Sequence, residues 1–150
     1  MIRAILVEVC RITHTGFAAL ARVTEDRWIA CQVSDQVEFG MKPGDELDIE
    51  KTICRQIRAC GTEIVIDHVG ADPEWQTHPV PALYGFESYA SLPIFLSDGS
   101  FYGTLCTLDP SPRALSARAT IEVLRKHAQR IADLLSERLV QASPRTETHA

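Results

Sequence analysis

Two β-rich runs, Ser88 to Leu96 and Phe101 to Leu108, stand on either side of Ser97-Asp98-Gly99-Ser100. An Asp-Gly pair readily adopts the left-handed backbone of a tight turn, so the two runs are expected to pair as an antiparallel hairpin. A second hairpin is predicted near the start of the chain. There Phe17 to Val23 and Trp28 to Val33 flank the polar turn Thr24-Glu25-Asp26-Arg27. A short β-branched strand, Glu63 to Asp67, lies between them in sequence. Hairpins at both ends of the strand set specify an antiparallel sheet.

Helical spacing fills the rest. Ile2, Ile5, Val9 and Ile12 recur at three- and four-residue steps, which predicts an amphipathic first helix. Asp48 is a candidate N-cap for a middle helix through Ile53, Ile57 and Cys60, stopped by Gly61. A long helix is predicted from about Ser116 to Gln141. Ser34 to Asp48, with Gly40, Pro43 and Gly44, reads as a loop. His68 to Glu87 holds Pro73, Pro79 and Pro81 and is too long for a bare connection, so it is read as a lid with a helical turn around Trp75. The order α-β-β-α-β-lid-β-β-α is that of an α+β domain occupying residues 1–142. Residues 143–150 read as a polar, disordered tail.

Composition narrows the function classes. The net charge is −5, and Lys and Arg are scattered rather than gathered in a stripe, which argues against a nucleic-acid partner. No apolar run approaches the roughly 18 residues of a membrane helix, and Glu8 interrupts the apolar start, so neither a membrane span nor a signal peptide is expected. A cytoplasmic location follows as the expectation. Of the five cysteines, Cys10, Cys31, Cys54, Cys60 and Cys106, no two form a C-x-x-C pair, and none has zinc-like spacing with His.

Several spaced motifs converge on one family. Tyr84-Gly85-Phe86-Glu87-Ser88-Tyr89-Ala90-Ser91-Leu92-Pro93-Ile94, then Asp98-Gly99-Ser100-Phe101-Tyr102-Gly103-Thr104-Leu105-Cys106-Thr107-Leu108-Asp109, resembles the GAF signature. Upstream, Thr52-Ile53-Cys54, Ile66-Asp67-His68-Val69 and Asp72-Pro73 resemble GAF domains of bacterial sensor histidine kinases. The resemblance spans roughly Ile2 to Leu139. It implies a central antiparallel sheet of about six strands, the N- and C-terminal helices on one face and a ligand pocket on the other.

Pleating sorts the side chains, because successive residues point to opposite faces. By analogy with GAF pockets, Tyr89, Ser91 and Pro93 share the pocket face with Thr104, Cys106 and Leu108. Ala90, Leu92, Ile94, Phe101 and Leu105 then pack against the terminal helices. Cys54 and Ile57 from the middle helix, with Trp75, Tyr84 and Phe86 from the lid, roof the pocket. Apolar walls with a few hydroxyls suit a small, mostly apolar ligand, whose identity no residue pattern reads out.

Cys54 opens the middle helix, where the dipole favours a thiolate. Relatives use GAF cysteines to attach a bilin or to reduce free methionine sulfoxide, whereas a buried cysteine is ordinarily an inert wall residue. No His follows Cys54 before His68, so a covalent bilin is not expected. The reductase reading needs a second, resolving thiol, and Cys60 lies too far round the helix to serve. Asp67, His68, Asp72 and His78 read as turn and capping residues rather than a metal cluster. Trp28 reads as core, while Trp75 reads equally as core or as a ligand-stacking ring. No nucleophile elbow, P-loop or G-x-G-x-x-G supports catalysis.

The reading is therefore a sensory domain acting on an output domain in cis, which the resemblance suggests is a histidine kinase. A GAF-type methionine sulfoxide reductase and a purely structural dimerisation module are the alternatives. Ile121, Leu124, Ala128, Ile131 and Leu135 repeat with a coiled-coil period, and Val123, Leu134 and Leu139 form a second apolar set on other faces. A homodimer through the first and last helices is the expectation.

Overall fold

The structure is a computed structural model that describes residues 1–49 and 52–148, with Arg55 and residues 139–148 described in backbone only. Six antiparallel strands form one sheet in the order β3-β2-β1-β6-β5-β4. They are β1 (Phe17–Val23), β2 (Trp28–Asp35), β3 (Glu46–Leu47), β4 (Ile64–Ile66), β5 (Ser88–Phe95) and β6 (Phe101–Asp109). Four α-helices accompany them: α1 (Ile2–Thr13), α2 (Cys54–Cys60), α3 (Pro79–Tyr84) and α4 (Arg118–Thr148).

The two hairpins form where the turn residues place them. β5 and β6 pair from Ser88 opposite Asp109 to Phe95 opposite Phe101. In their turn the Asp98 carboxylate accepts from the Ser100 N–H at 2.9 Å, and Gly99 takes a φ of +86°. β1 pairs with β2 and also, across the centre of the sheet, with β6.

Alternation along the strands divides the interior into two cores. Ala18, Leu20, Ala90, Leu92, Ile94 and Leu105 face α1 and α4, and pack with Ile2, Leu6, Val9, Leu124 and Ile131. Phe17, Ala19, Tyr89, Cys106 and Leu108 face the other way, toward Met41, Ile53, Cys54, Val80 and Phe86. Phe101 was expected on the helix side but packs with this second core. The cause is a bulge: the register shifts between Ile94 and Phe95, and one extra residue reverses the facing of everything beyond it.

Three other expectations need correction. β3 lies inside the stretch read as loop, where Leu47 pairs with Trp28 and Glu46 with Ile29. An Arg27–Glu46 ion pair at 2.7 Å flanks that pairing. The middle helix starts at Cys54 with Ile53 as its N-cap, not at Asp48. A preceding turn delays it, closed by Thr52 donating through Oγ1 to the Ile49 carbonyl at 2.8 Å. Finally, α4 continues past Gln141 to Thr148, because adding residues to a packed helix costs far less than nucleating one. The expected tail thus lies within the helix as far as 148, and residues 149 and 150 are outside the described residues.

The coiled-coil seam of α4 is used within the monomer: Leu124, Ala128, Ile131 and Leu135 are all buried against the sheet and α1. Ile121, Val123 and Leu134 are half-buried, and the Leu139 side chain lies outside the described residues.

Two glycines test the central pairing. A Cβ on Gly103 would stand 1.8 Å from the Ala21 carbonyl oxygen, so any side chain there must push β6 off β1. A Cβ on Gly99 would meet nothing within 4 Å, and its only cost is the left-handed backbone. Gly103→Ala is expected to cost at least about 2 kcal/mol in urea unfolding, and Gly99→Ala only about 1 kcal/mol. Equal losses would mean that β1 and β6 do not pack as closely as described.

Candidate functional site

The site lies on the sheet face opposite α1 and α4, over one end of β1, β5 and β6. Phe17 of β1 stands opposite Leu108 of β6, which stands opposite Tyr89 of β5. Two residues along, Ala19 faces Cys106 and Cys106 faces Ser91. Two further on, Ala21 faces Thr104 and Thr104 faces Pro93. The small alanines leave room above the middle of this face, and Cys54, the first residue of α2, fills it.

An inner cavity of about 40 Å³ occupies the Phe17–Leu108–Tyr89 end, walled also by Trp28, Met41, Ile53, Val80 and Phe86. It holds a molecule of a few heavy atoms at most. A wider cleft of about 580 Å³ lies outside it, and the two share Phe39, Met41, Leu47, Tyr84 and Leu108 as a common wall. Glu38, Asp45 and Glu46 line the outer cleft and make its rim acidic.

The walls are held by local polar chemistry. The Asp35 carboxylate accepts from the N–H groups of Val37, Phe39 and Gly40 at 3.2, 3.0 and 2.8 Å. These bonds curl the chain so that Phe39 rests on Phe17, with ring centroids 4.9 Å apart. On the lid, His78 caps α3 by accepting from the Val80 N–H through Nδ1 at 3.2 Å, and Pro79 begins the helix. Asp72 accepts from the Glu74 N–H at 3.0 Å, and Asp67 accepts from the Ser116 N–H at 2.7 Å. These residues therefore carry turn and capping roles.

Beneath the cavity is a buried cluster of thiols and hydroxyls. Cys54 Sγ lies 3.2 Å from Thr104 Oγ1, 3.6 Å from Tyr89 OH, 3.8 Å from Ser91 Oγ and 3.6 Å from Cys106 Sγ. Cys106 Sγ in turn is 3.2 Å from Ser91 Oγ and 3.1 Å from Thr104 Oγ1. Hydrogen bonding from Cys106 holds the Cys54 thiol below the ordinary thiol range, against the opposing effect of burial. The same interaction, with burial, pushes Cys106 up. Burial also raises the Tyr89 phenol. The pair is thus arranged as a protonated Cys106 donating to a thiolate-prone Cys54.

Trp28 adds an unusual element. Its ring is 4% exposed, and its Nε1 is a buried donor with no hydrogen-bond partner among the described residues. That N–H nonetheless sits near enough to Cys54 to favour its thiolate.

Of the expected site residues, Cys54, Tyr84, Phe86, Tyr89, Cys106 and Leu108 line the inner cavity. Ser91 and Thr104 lie beyond the cap that Cys54 forms, and act through hydrogen bonds to the two cysteines. Pro93, one step further along β5, borders a separate groove beside Arg125 and Ala128 of α4. Ile57 is fully buried but does not reach the cavity. Trp75 is buried against His78, with ring centroids 4.8 Å apart, and is a core residue of the lid. Phe17, Trp28, Phe39, Met41, Leu47, Thr52, Ile53 and Val80 join the wall without having been anticipated. The one legible signal among them was Phe39-Gly40-Met41, apolar residues set in an acidic loop. Cys106 also supplies the second thiol that Cys60, exposed at the far end of α2, cannot.

The fold is shared widely. The GAF domain of an Acinetobacter phosphoenolpyruvate-protein phosphotransferase superposes with a TM-score of 0.73 at 8% identity, covering 94% of this chain and 83% of that one. The blue-light absorbing form of the Thermosynechococcus elongatus PixJ GAF domain gives 0.75 at 8% identity, covering 99% and 90%. The GAF domain of a two-component sensor histidine kinase from Bacillus halodurans gives 0.68 at 12% identity, covering 94% of each. No curated protein matches the sequence. The family model described as GAF domain matches residues 1–138, and the chain belongs to that family.

Proposed function

We propose that this GAF domain is a cytoplasmic sensory module that binds a small molecule between the sheet and its lid, and passes the event through α1 and α4 to an output domain, a histidine kinase by preference. The observation that carries the reading is the orphaned indole donor of Trp28 in the cavity wall. A buried polar group without a partner costs about 1–3 kcal/mol, a cost that a ligand acceptor would recover. The surrounding walls are apolar and the rim is acidic. Together these features favour a neutral or cationic ligand with an apolar body and one acceptor. Because the inner cavity is small, such a ligand would occupy the outer cleft and displace the shared Phe39 and Tyr84 rings as its tip enters.

The enzyme alternative, reduction of free methionine sulfoxide, gains a resolving thiol in Cys106. It is disfavoured by the outer cleft, whose lining, among the described residues, offers Glu38, Asp45 and Glu46 but no Lys, Arg or His to hold an amino acid's carboxylate. A thioredoxin-coupled assay on free methionine sulfoxide is expected to stay flat, and sustained NADPH consumption would reverse the preference.

Native mass spectrometry of freshly purified protein tests the binding reading. A noncovalent adduct is expected, lost under denaturing conditions. Trp28→Phe is expected to weaken its retention about tenfold, the worth of one buried hydrogen bond. An adduct-free wild-type protein, or an adduct held equally by the variant, counts against the assignment.

Self-association through the terminal helices is part of the proposal. Half-buried Val123 and Leu134, with exposed Val7 on α1, are the apolar positions left for a partner. Val123→Glu combined with Leu134→Glu is expected to give a monomer in sedimentation equilibrium with an unchanged far-ultraviolet circular dichroism spectrum. A wild-type protein that is already monomeric at high concentration would sink the idea.

A further inference from the structure

We propose that Cys54 and Cys106 form a peroxide-reactive dithiol, in which hydrogen peroxide entering the inner cavity converts the pair to a disulfide joining α2 to β6. The two sulfurs are 3.6 Å apart on elements that the fold holds together, α2 above and β6 below. Closing that gap to an S–S bond of about 2.05 Å needs a movement of under about 2 Å. Both residues line the inner cavity, so an oxidant lodged there meets both sulfurs.

The environment favours thiolate chemistry at the pair. Cys54 is ringed by groups able to donate to a thiolate: Thr104 Oγ1, Tyr89 OH, Ser91 Oγ and Cys106 Sγ. Cys106 shares this ring, with Ser91 Oγ at 3.2 Å and Thr104 Oγ1 at 3.1 Å, so the two sulfurs react as a unit, here with Cys54 attacking and Cys106 resolving. The Cys54 thiolate attacks one peroxide oxygen. An S–O bond forms, the O–O bond breaks, and the departing hydroxide leaves as water after taking a proton. Cys54 is now a sulfenic acid. The Cys106 sulfur then attacks the Cys54 sulfur. An S–S bond forms, the S–O bond breaks, and the second oxygen leaves as water with the Cys106 proton. Two thiols supply two electrons, one hydrogen peroxide accepts them, and two waters result.

Cavity size sets the oxidant class. A volume of about 40 Å³ admits a molecule of a few heavy atoms, so hydrogen peroxide fits, whereas glutathione disulfide and bulky organic hydroperoxides do not. Among the described residues the remaining three cysteines have no such partner: Cys60 is exposed, Cys10 is buried in the core on the other face of the sheet, and Cys31 lies 3.4 Å from the Tyr102 hydroxyl rather than beside another thiol.

The test uses the full chain, reduced, freed of reductant without oxygen, and then given equimolar hydrogen peroxide. The thiol count is expected to fall from five by two, with the intact mass lowered by two hydrogens. Non-reducing peptide mapping should place the link between Cys54 and Cys106, and dithiothreitol should restore both thiols. Cys106→Ser is expected to stop at a sulfenic acid on Cys54 that dimedone traps, and Cys60→Ser is expected to behave as wild type. tert-Butyl hydroperoxide should react more slowly than hydrogen peroxide. Retention of all five thiols under conditions that oxidise free cysteine overturns the proposal, as does a link through Cys10, Cys31 or Cys60. An equal rate with the bulky hydroperoxide overturns the cavity as the selecting element. The wild-type mapping decides the matter even where a variant fails to fold.

Discussion

The antiparallel pairing of β1 with β6 governs the rest of the architecture. It joins the first strand of the chain to the last, and so brings α1 and α4, which flank them in sequence, onto the same face. The pairing is tight enough that Gly103 stands directly against the Ala21 carbonyl, where no Cβ fits. Buried Asp109 locks its end, accepting from the Gly16 N–H at 2.8 Å and from the Ser111 N–H at 2.9 Å. One carboxylate thereby fixes both the exit from α1 and the exit from β6.

That pairing also creates the site. Ala19 and Ala21 on β1 lie opposite Cys106 and Thr104, and larger residues there would fill the space that Cys54 occupies. A thiol buried in an apolar pocket is ordinarily held protonated, because charge is costly away from water. Here four sulfur and oxygen groups converge on Cys54, and this hydrogen bonding outweighs burial. Each of those groups comes from β5 or β6, so the electrostatics of the cysteine follow directly from strand register. A one-residue slip of β5 against β6 would turn Tyr89 and Ser91 toward the helices and leave the thiol with only Thr104 and Cys106 beside it.

Much of this was legible in the chain because it rests on local or periodic signals. The Asp98-Gly99 turn specified its hairpin, and alternation along Tyr89, Ser91, Thr104, Cys106 and Leu108 placed those five residues on one face. The features that escaped depend on long-range pairing or on single-residue irregularities. A bulge at Tyr102, near the start of β6, reversed Phe101, and no residue type there announces it. β3 is two residues long and exists because Trp28 and Ile29 offer it an edge, which no property of Glu46 or Leu47 reveals. Trp28 looked like core because it opens a strand, and it is buried; only its neighbourhood shows that the indole N–H has no hydrogen-bond partner among the described residues. Cys54 and Cys106 are 52 positions apart in sequence, so their proximity could be read only from the fold.

The two faces of the sheet are mechanically joined through β6. Cys106 faces the cavity, while its neighbour Thr107 faces α1 and donates to the Phe17 carbonyl at 2.8 Å. Thr107 also meets Thr15, which meets Thr13 at 2.8 Å, and Thr13 donates to the Val9 carbonyl at 2.7 Å. A chain of buried hydroxyls thus runs from the strand carrying Cys106 into the last turn of α1. Such a chain transmits a displacement only if its members have two arrangements whose energies the pocket biases differently. Buried hydroxyls meet that requirement better than methyl groups do. Thr13 and Thr107 each commit their proton to a carbonyl, so the single proton of Thr15 can go to either of them, and a hydroxyl loses about 1 kcal/mol if its neighbour moves out of reach. A small shift of β6, whether from a ligand seated against Leu108 or from a bond formed at Cys106, would therefore have to be met by re-pairing along Thr107, Thr15 and Thr13. The helix at the end of that chain packs against α4, so the cost would be shared by the two terminal helices.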